Sequence, residues 1–144
     1  MKISIGSDHG GFLLKEQVRE YLVSEGYEVL DCGCNSLDST DYPVYAHKVS
    51  NMVQNKEVDF GVLICTSGVG MSMCANKHAG VRAALISNEH DSIYCRLHNN
   101  ANVICMGAKH VRIEDAKKYL NNFLKTEFEG GRHERRVALI DKID

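Results

Sequence analysis

The stretch from Asp59 to Lys77, DFGVLICTSGVGMSMCANK, decides the fold of this chain of 144 residues. It opens with a continuous apolar run at 60–64, whose length and composition predict a strand buried on both faces. Cys65 follows where that strand must end, and a Gly-rich turn at 66–70 leads into a helical segment through Ala75. A buried strand, a small-residue loop and a helix in that order predict a unit of a parallel α/β fold.

The Gly-rich loop is a candidate anion site, because loop N–H groups and a helix N-terminus that converge favour a phosphate or a developing oxyanion. A thiolate is favoured beside such groups, so we interpret Cys65 as the centre of a reaction site rather than as an inert core thiol. A Walker loop is excluded, since the nearest Lys, Lys77, comes seven residues after Gly70. A phosphatase nucleophile normally has an Arg six residues later, where this chain has Met71, so a proton-transferring base is favoured.

Composition limits the remaining classes of protein. The chain is 44% hydrophobic and 25% charged, as expected for one soluble globular domain. A net charge of −2 gives no basic field for nucleic acid or an anionic membrane. No apolar run approaches the roughly 20 residues of a membrane span. Six cysteines without a CxxC pair predict reduced thiols and a cytoplasmic protein.

Five short apolar strands alternate with amphipathic helices along the chain. The strands are predicted at residues 2–6, 27–30, 60–64, 80–86 and 101–106. This alternation predicts an α/β fold, a single-domain three-layer α/β/α sandwich over 1–144 with a five-stranded parallel, Rossmann-like sheet. A helical tail is predicted at about 131–144, with apolar positions at Val137, Ile140 and Ile143.

Helix boundaries carry their own markers. Thr40 and Asp41 are predicted to cap the second helix, with Pro43 in its first turn. The fourth helix is predicted at 88–98 and ends at the Asn99-Asn100 pair.

Polar groups are predicted to converge beyond the carboxyl ends of the strands, where parallel sheets bind ligands. Asp8 and His9 follow the first strand, so they would meet the loop after Cys65 if the first and third strands are neighbours. His9 could instead lie in a solvated turn. Arg132 and Arg136 are four residues apart, so on a helix they share a face that could clamp a phosphate, although a solvated basic face is the alternative.

Five separated motifs, in order along the chain, resemble those of the type B ribose-5-phosphate isomerases. They are GSDHGG at 6–11, TDYP at 40–43, ICTSGVGMSMCANK at 64–77, RLHNNANV at 96–103 and EGGRHERRV at 129–137. The resemblance implies a five-stranded parallel α/β/α sandwich that forms a homodimer or a homotetramer built as a pair of dimers. It further implies active sites between subunits and no metal or organic cofactor.

The resemblance also implies a reaction, the interconversion of D-ribose 5-phosphate and D-ribulose 5-phosphate through a cis-enediolate. Cys65 would be the base that shuttles the proton between C2 and C1, and His98 would help to open the furanose ring. Taken without the resemblance, His98 could merely satisfy carbonyls at a helix end. Charge developing on the substrate oxygens would be stabilised by the hydroxyl of Ser67 and by the backbone N–H groups of Gly68, Val69 and Gly70.

The remaining residues implied by the resemblance bind the substrate. Asp8 and Asn99 would hold sugar hydroxyls, and Tyr42 would border the pocket. The phosphate would be held by His9, Arg132 and Arg136.

Some positions depart from the family pattern. Ser67 stands where many members have Thr, and the serine keeps the hydroxyl. Lys109 stands where Arg is common, and the lysine lacks the bidentate fork of an arginine. Ser72 lies near the place of the carboxylate that serves as base in some relatives, which favours the thiol.

Three other functions remain open at this stage. A galactose-6-phosphate isomerase subunit shares the Cys loop but generally lacks the intact set of His98, Arg132 and His133. Allose 6-phosphate is a possible substrate, because pocket depth cannot be predicted from the sequence. A non-catalytic sugar-phosphate sensor would need the anion-binding groups without Cys65.

Overall fold

The computed structural model describes residues 1–142, so Ile143, predicted in the last helix, lies outside the described residues. A five-stranded parallel sheet has the order β2-β1-β3-β5-β4. Its strands are β1 (Lys2–Ser7), β2 (Glu28–Asp31), β3 (Phe60–Cys65), β4 (Ala83–Leu85) and β5 (Val103–Gly107). The helices are α1 (Phe12–Ser24), α2 (Tyr42–Gln54), α3 (Val69–Ala75), α4 (Glu89–Leu97), α5 (Ile113–Lys125) and α6 (Arg132–Asp141).

Helices cover both faces of the sheet, which confirms the predicted three-layer sandwich. Along β3, Val62 and Ile64 pack into one apolar cluster with residues of α1, α4 and α5. Leu63 and Cys65 point the other way, into a cluster with α2 and α3. Side chains alternate between the faces of a strand, so a strand covered on both sides is apolar throughout. None of the helices within 1–142 is long and apolar enough to cross a membrane.

The predicted fourth strand was too long. Strand β4 covers only Ala83–Leu85 instead of 80–86. The residues before it are held by side chains, since the backbone N–H of Arg82 donates to the side-chain oxygen of Asn102 at 2.8 Å.

The predicted cap of α2 is confirmed in its position at Asp41, but neither predicted side chain makes a capping hydrogen bond. Asp41 occupies the N-cap position but makes no side-chain capping hydrogen bond, and Pro43 lies in the first turn as predicted. The hydroxyl of Thr40 is paired with that of Tyr45 at 2.9 Å instead.

The strand order decides at which edge of the sheet the loops with the predicted site residues lie. Strands β1 and β3 are neighbours, with Ile5 paired to Val62. The connection after β1 leads outward to β2, whereas the connection after β2 crosses back to β3, so the topological switch lies between β1 and β3. Helix α4, by contrast, returns from the carboxyl end of β4 to the amino end of β5, and it delivers the residues after Leu97 to the opposite edge of the sheet.

Candidate active site

The predicted site residues fall into two groups at opposite edges of the sheet. The carboxyl-end group lies at the β1/β3 switch and consists of Asp8, His9, Tyr42, Cys65, Ser67, Gly68, Val69 and Gly70. The amino-end group follows α4 and begins α6, and it consists of His98, Asn99, Arg132 and Arg136.

The thiol of Cys65 is the centre of the carboxyl-end group. Its Sγ accepts the backbone N–H of Gly68 at 3.1 Å, and the residue is only 5% exposed. An N–H that points at sulfur stabilises negative charge there, as a thiolate nucleophile or base requires. A contact of this kind is what a reactive thiol would require.

Gly68 makes this contact possible. Its φ is +79°, in the left-handed region, and an added Cβ would lie 2.6 Å from Leu85 Cδ1 and 2.9 Å from the backbone carbon of Met106. A side chain is excluded both by conformation and by space. Helix α3, which starts at Val69, has only seven residues, so the N–H groups of the loop itself, more than a helix dipole, make the local field.

Asp8 and His9 meet this loop, which confirms the predicted convergence. A Cβ on Gly10 would collide with the hydroxyl of Thr66, so the turn after β1 lies directly against the Gly-rich loop. Asp8 is 7% exposed, and its Oδ1 accepts the N–H of Gly11 at 3.1 Å. Nδ1 of His9 accepts the N–H of Thr40 at 3.2 Å, so in the neutral ring Nε2 carries the proton and can donate to an anion.

Tyr42 borders the loop from α2. A Cβ on Gly70 would lie 2.5 Å from Cε2 of the Tyr42 ring, so the ring rests directly on the backbone of the loop. The backbone N–H of Val69 donates to the hydroxyl oxygen of Ser67 at 3.2 Å. Ser67 is exposed and presents its hydroxyl at the mouth of the loop.

Two cavities adjoin the carboxyl-end group and contain residues that the sequence did not single out. A cavity of about 410 Å³ lies beside the loop and is lined by Ser67, Val69, Leu85, Ile86, Ser87, Gly107 and His110. A second cavity, of about 500 Å³, brings His9 together with Arg112. Arg112 places a guanidinium beside the same cavity as His9.

Burial keeps four of the other thiols protonated. Burial raises the pKa of Cys95 to about 11 and raises that of Cys105 still further. Burial also raises the pKa of Cys32 and of Cys74. These four groups remain protonated at neutral pH, so they behave as small core side chains.

In the amino-end group, His98 lies against two residues that had no predicted role. Its imidazole stacks on that of His133, with ring centroids 4.1 Å apart and planes at 13°. Glu129 Oε2 lies 3.4 Å from Nε2 of His98 and 3.8 Å from Nε2 of His133. The sequence could have indicated this contact, because Glu129 and His133 are four residues apart within EGGRHERRV.

Helix α6 carries the two arginines as predicted. Arg132 and Arg136 are both exposed and lie one helical turn apart, on the same face. The end of the helix is tied to the amino edge of the sheet by an ion pair between Arg82 and Asp141, 2.9 Å apart.

The two groups cannot meet within one chain. Nε of Arg82, at the amino end of β4, donates to the carbonyl of Asn100, close to His98. From Gly61, which bonds to Asn102 at that edge, to Cys65 the strand runs four residues, roughly 13 Å at 3.3 Å per residue. The sheet and its packed core fill this distance.

This chain is similar to known proteins over almost its whole length. The family model described as Ribose/Galactose Isomerase matches residues 3–140. The Escherichia coli protein named ribose-5-phosphate isomerase B is 45% identical over 143 residues, which cover 99% of this chain and 96% of that one.

Solved structures match equally well. A ribose 5-phosphate isomerase from Thermotoga maritima has a TM-score of 0.97 at 46% identity, covering 99% of this chain and 98% of that chain. A ribose-5-phosphate isomerase B from Mycoplasma genitalium, solved with bound ribulose-5-phosphate, has a TM-score of 0.93 at 43% identity, covering 97% and 93%. The chain therefore belongs to the ribose/galactose isomerase family, among the type B ribose-5-phosphate isomerases.

Proposed function

We propose that this protein interconverts D-ribose 5-phosphate and D-ribulose 5-phosphate through a cis-enediolate, with Cys65 as the base. The observation that carries the proposal is the contact between Cys65 Sγ and the N–H of Gly68 at 3.1 Å. A base that removes a proton from carbon needs both a stabilised anionic form and donors for the enediolate that results. The Gly-rich loop supplies both from one segment of backbone.

The proposed reaction conserves every atom. The thiolate of Cys65 takes the proton from C2, the C1=C2 double bond forms, and the carbonyl oxygen on C1 gains the negative charge. The hydroxyl of Ser67 and the loop N–H groups stabilise that charge. The proton then returns from sulfur to C1 while the hydroxyl on C2 becomes the carbonyl, its proton having passed to the oxygen on C1. The thiolate is regenerated, and no cofactor is consumed.

We propose that two subunits complete each site. The length of the strands separates the two groups, which supports this, because ring opening by His98 and phosphate binding by Arg132 must occur beside Cys65. Exposed apolar side chains around the loop also support it, since large apolar groups left in water mark an interface. They are Tyr42 at 39% exposed, Val69 at 41%, Met73 at 64% and Leu85 at 42%. In a homodimer, a two-fold axis would create two equivalent sites.

The phosphate would be bound by hydrogen-bond donors from both groups. Arg132 and Arg136 of one subunit would meet His9 of the other, and Asn99 would join Asp8 on the sugar hydroxyls. Arginine forks on one helix face suit a phosphate, because each can donate two parallel hydrogen bonds. Binding at the phosphate holds a small substrate in register with the base.

The direct test is turnover of ribose 5-phosphate in buffer with a chelator, with allose 6-phosphate and galactose 6-phosphate run in parallel. We expect conversion to ribulose 5-phosphate, and loss of about 10²–10⁴ in kcat in the Cys65→Ser variant with substrate still bound. Turnover of a hexose phosphate alone would contradict the substrate assignment. A near-normal kcat in Cys65→Ser would contradict the base assignment, and tight binding without turnover in the unaltered protein would favour a sensor.

A further inference from the structure

We propose that Glu129 and His133 are positioning residues for His98, which they hold and stabilise in the protonated form that occurs while the sugar ring opens. This inference rests on the proposed function, since it concerns the ring-opening step of the same reaction. Both side chains belong to the motif EGGRHERRV, but the resemblance gives neither of them a role in the reaction.

Three side chains surround the imidazole of His98. One face of its ring stacks on His133 with centroids 4.1 Å apart, and the Tyr94 ring meets it edge-on at 4.9 Å. Glu129 Oε2 lies 3.4 Å from Nε2. The side chain of His98 is nevertheless 34% exposed. An imidazole fixed by two rings and a carboxylate while one part stays accessible is suited to exchanging a proton with a ligand.

The backbone brings Glu129 to this place independently of its flexible side chain. The N–H of Glu129 donates to the carbonyl of Leu97 at 3.1 Å, directly beside His98. Nε of Arg96 donates to the carbonyl of Thr126 at 3.1 Å, so the segment leading to Glu129 is tied to α4 at a second point. The pairing of carboxylate and imidazole is therefore part of the fold.

His133 forms a neutral platform beneath the His98 ring. Burial lowers the pKa of His133, and the nearby His98, Arg132 and Arg136 lower it further, while Glu129 acts in the opposite direction. The residue is 6% exposed, and its Nε2 has no hydrogen-bond partner among residues 1–142. A neutral ring can support a protonated one without repelling it, whereas two imidazoliums at this distance would repel each other.

A metal site is the competing explanation for the same three side chains, whose ligand atoms lie within 4.8 Å of one another. A ligating imidazole holds a transition metal close to its own ring plane, at about 2.0–2.1 Å from the nitrogen. The planes of His98 and His133 are inclined by only 13°, with centroids 4.1 Å apart, so no point satisfies both rings. The stacked geometry therefore favours proton chemistry.

Ring opening requires the transfer of one proton from the anomeric hydroxyl to the ring oxygen. The anomeric hydroxyl loses a proton, the bond between C1 and the ring oxygen breaks, the C1 carbonyl forms, and the ring oxygen gains a proton. His98 can accept the first proton and return it to the ring oxygen, so none is consumed. The carboxylate of Glu129 opposite Nε2 favours the proton there, which leaves Nδ1 to exchange with the sugar. It also stabilises the imidazolium between the two transfers.

The two substrates separate this step from the isomerisation. Ribose 5-phosphate is a furanose that must open, whereas ribulose 5-phosphate is acyclic, because its O5 is esterified and cannot close a ring on C2. We would measure conversion of ribose 5-phosphate and, in D₂O, exchange of the C1 hydrogen of ribulose 5-phosphate, which reports enediolate formation alone. In Glu129→Gln we expect conversion to fall by about tenfold or more, while the exchange rate stays within about twofold.

His133 is tested by a pair of substitutions. His133→Phe keeps a flat ring under His98 and removes an unpartnered buried nitrogen, so we expect conversion to stay near that of the unaltered protein. His133→Ala removes the platform, and conversion should fall while the exchange is retained. Glu127→Gln, the same change of charge at an exposed residue two positions away, is the matched control and should alter neither rate.

Specific outcomes would overturn the inference. Equal losses of conversion and exchange in Glu129→Gln would indicate a general structural or binding role, and unchanged conversion would indicate no role. Equal behaviour of His133→Phe and His133→Ala would exclude the platform. The proposed function fails separately: in that case the unaltered protein converts neither pentose phosphate.

Discussion

Mixing two inactive variants tests whether each site is shared between subunits. Cys65→Ser removes the proposed base from the carboxyl-end group, and His98→Asn removes the proposed ring-opening group at the opposite edge of the sheet. Each variant alone should be nearly inactive on ribose 5-phosphate. If the groups meet across a two-fold axis, a mixed dimer has one site with both defects and one site with neither.

The expected recovery follows from this geometry. Random exchange of subunits in an equal mixture makes half of the dimers mixed, and each mixed dimer keeps one of its two sites, so activity should reach about a quarter of the unaltered level. A pair of dimers gives the same fraction, because the arithmetic applies to each dimer. The assay is turnover of ribose 5-phosphate after the two variants have been denatured and refolded together.

A matched pair of variants supplies the control. Cys65→Ser and Ser67→Ala both lie in the carboxyl-end group, so every site in their mixed dimer carries one defect, and activity should stay low. Recovery in this control pair, or none in the Cys65 and His98 pair, would refute a site divided between subunits. A site formed within one chain would require His98 to cross the roughly 13 Å of sheet that separates it from Cys65.

Three further substitutions test single contacts. Gly68→Ala forces a side chain into the left-handed region and against Leu85, so it should lower the free energy of unfolding by about 1–3 kcal/mol in urea titration and reduce kcat; unchanged stability would contradict the conformational requirement. Arg136→Ala should raise KM for ribose 5-phosphate with little change in kcat, and an unchanged KM would remove it from the phosphate site. Arg96→Met leaves buried carbonyls unpaired, including that of Ala101, and should cost about 1–3 kcal/mol in the same titration; a loss below that range would mean that water replaces the guanidinium.

The contacts of Arg96 also fix the position of the amino-end group. Arg96 is 9% exposed, and its guanidinium lies 4.9 Å from the Phe60 ring centroid. It donates to Asn100 Oδ1 at 2.9 Å, so the turn that carries His98 and Asn99 is fixed to the core. The sequence motif RLHNNANV contains this arginine, but its contacts with Phe60 come from a distant strand.

The local pattern of apolar residues was sufficient to predict the order and type of the helices and strands. The run at Phe60–Cys65 is apolar because both faces of β3 are covered, and that burial can be predicted from composition alone. The short β4 was overextended, because its flanking residues are held by side chains from other segments. The convergence of Asp8 with Cys65 could be predicted only on condition that β1 and β3 are neighbours, and the structure confirms that they are.

The sequence by itself determined the parallel α/β architecture, the Gly-rich loop after Cys65 and, through its five motifs, the family. These are consequences of local periodicity, of backbone conformation at a few residues, and of motifs that can be matched in order. Only the tertiary structure decided that His98 lies at the opposite edge of the sheet from Cys65, and that Glu129 and His133 surround it. Strand order and helix direction arise from packing between distant segments, and no local pattern encodes which edge of the sheet a loop reaches.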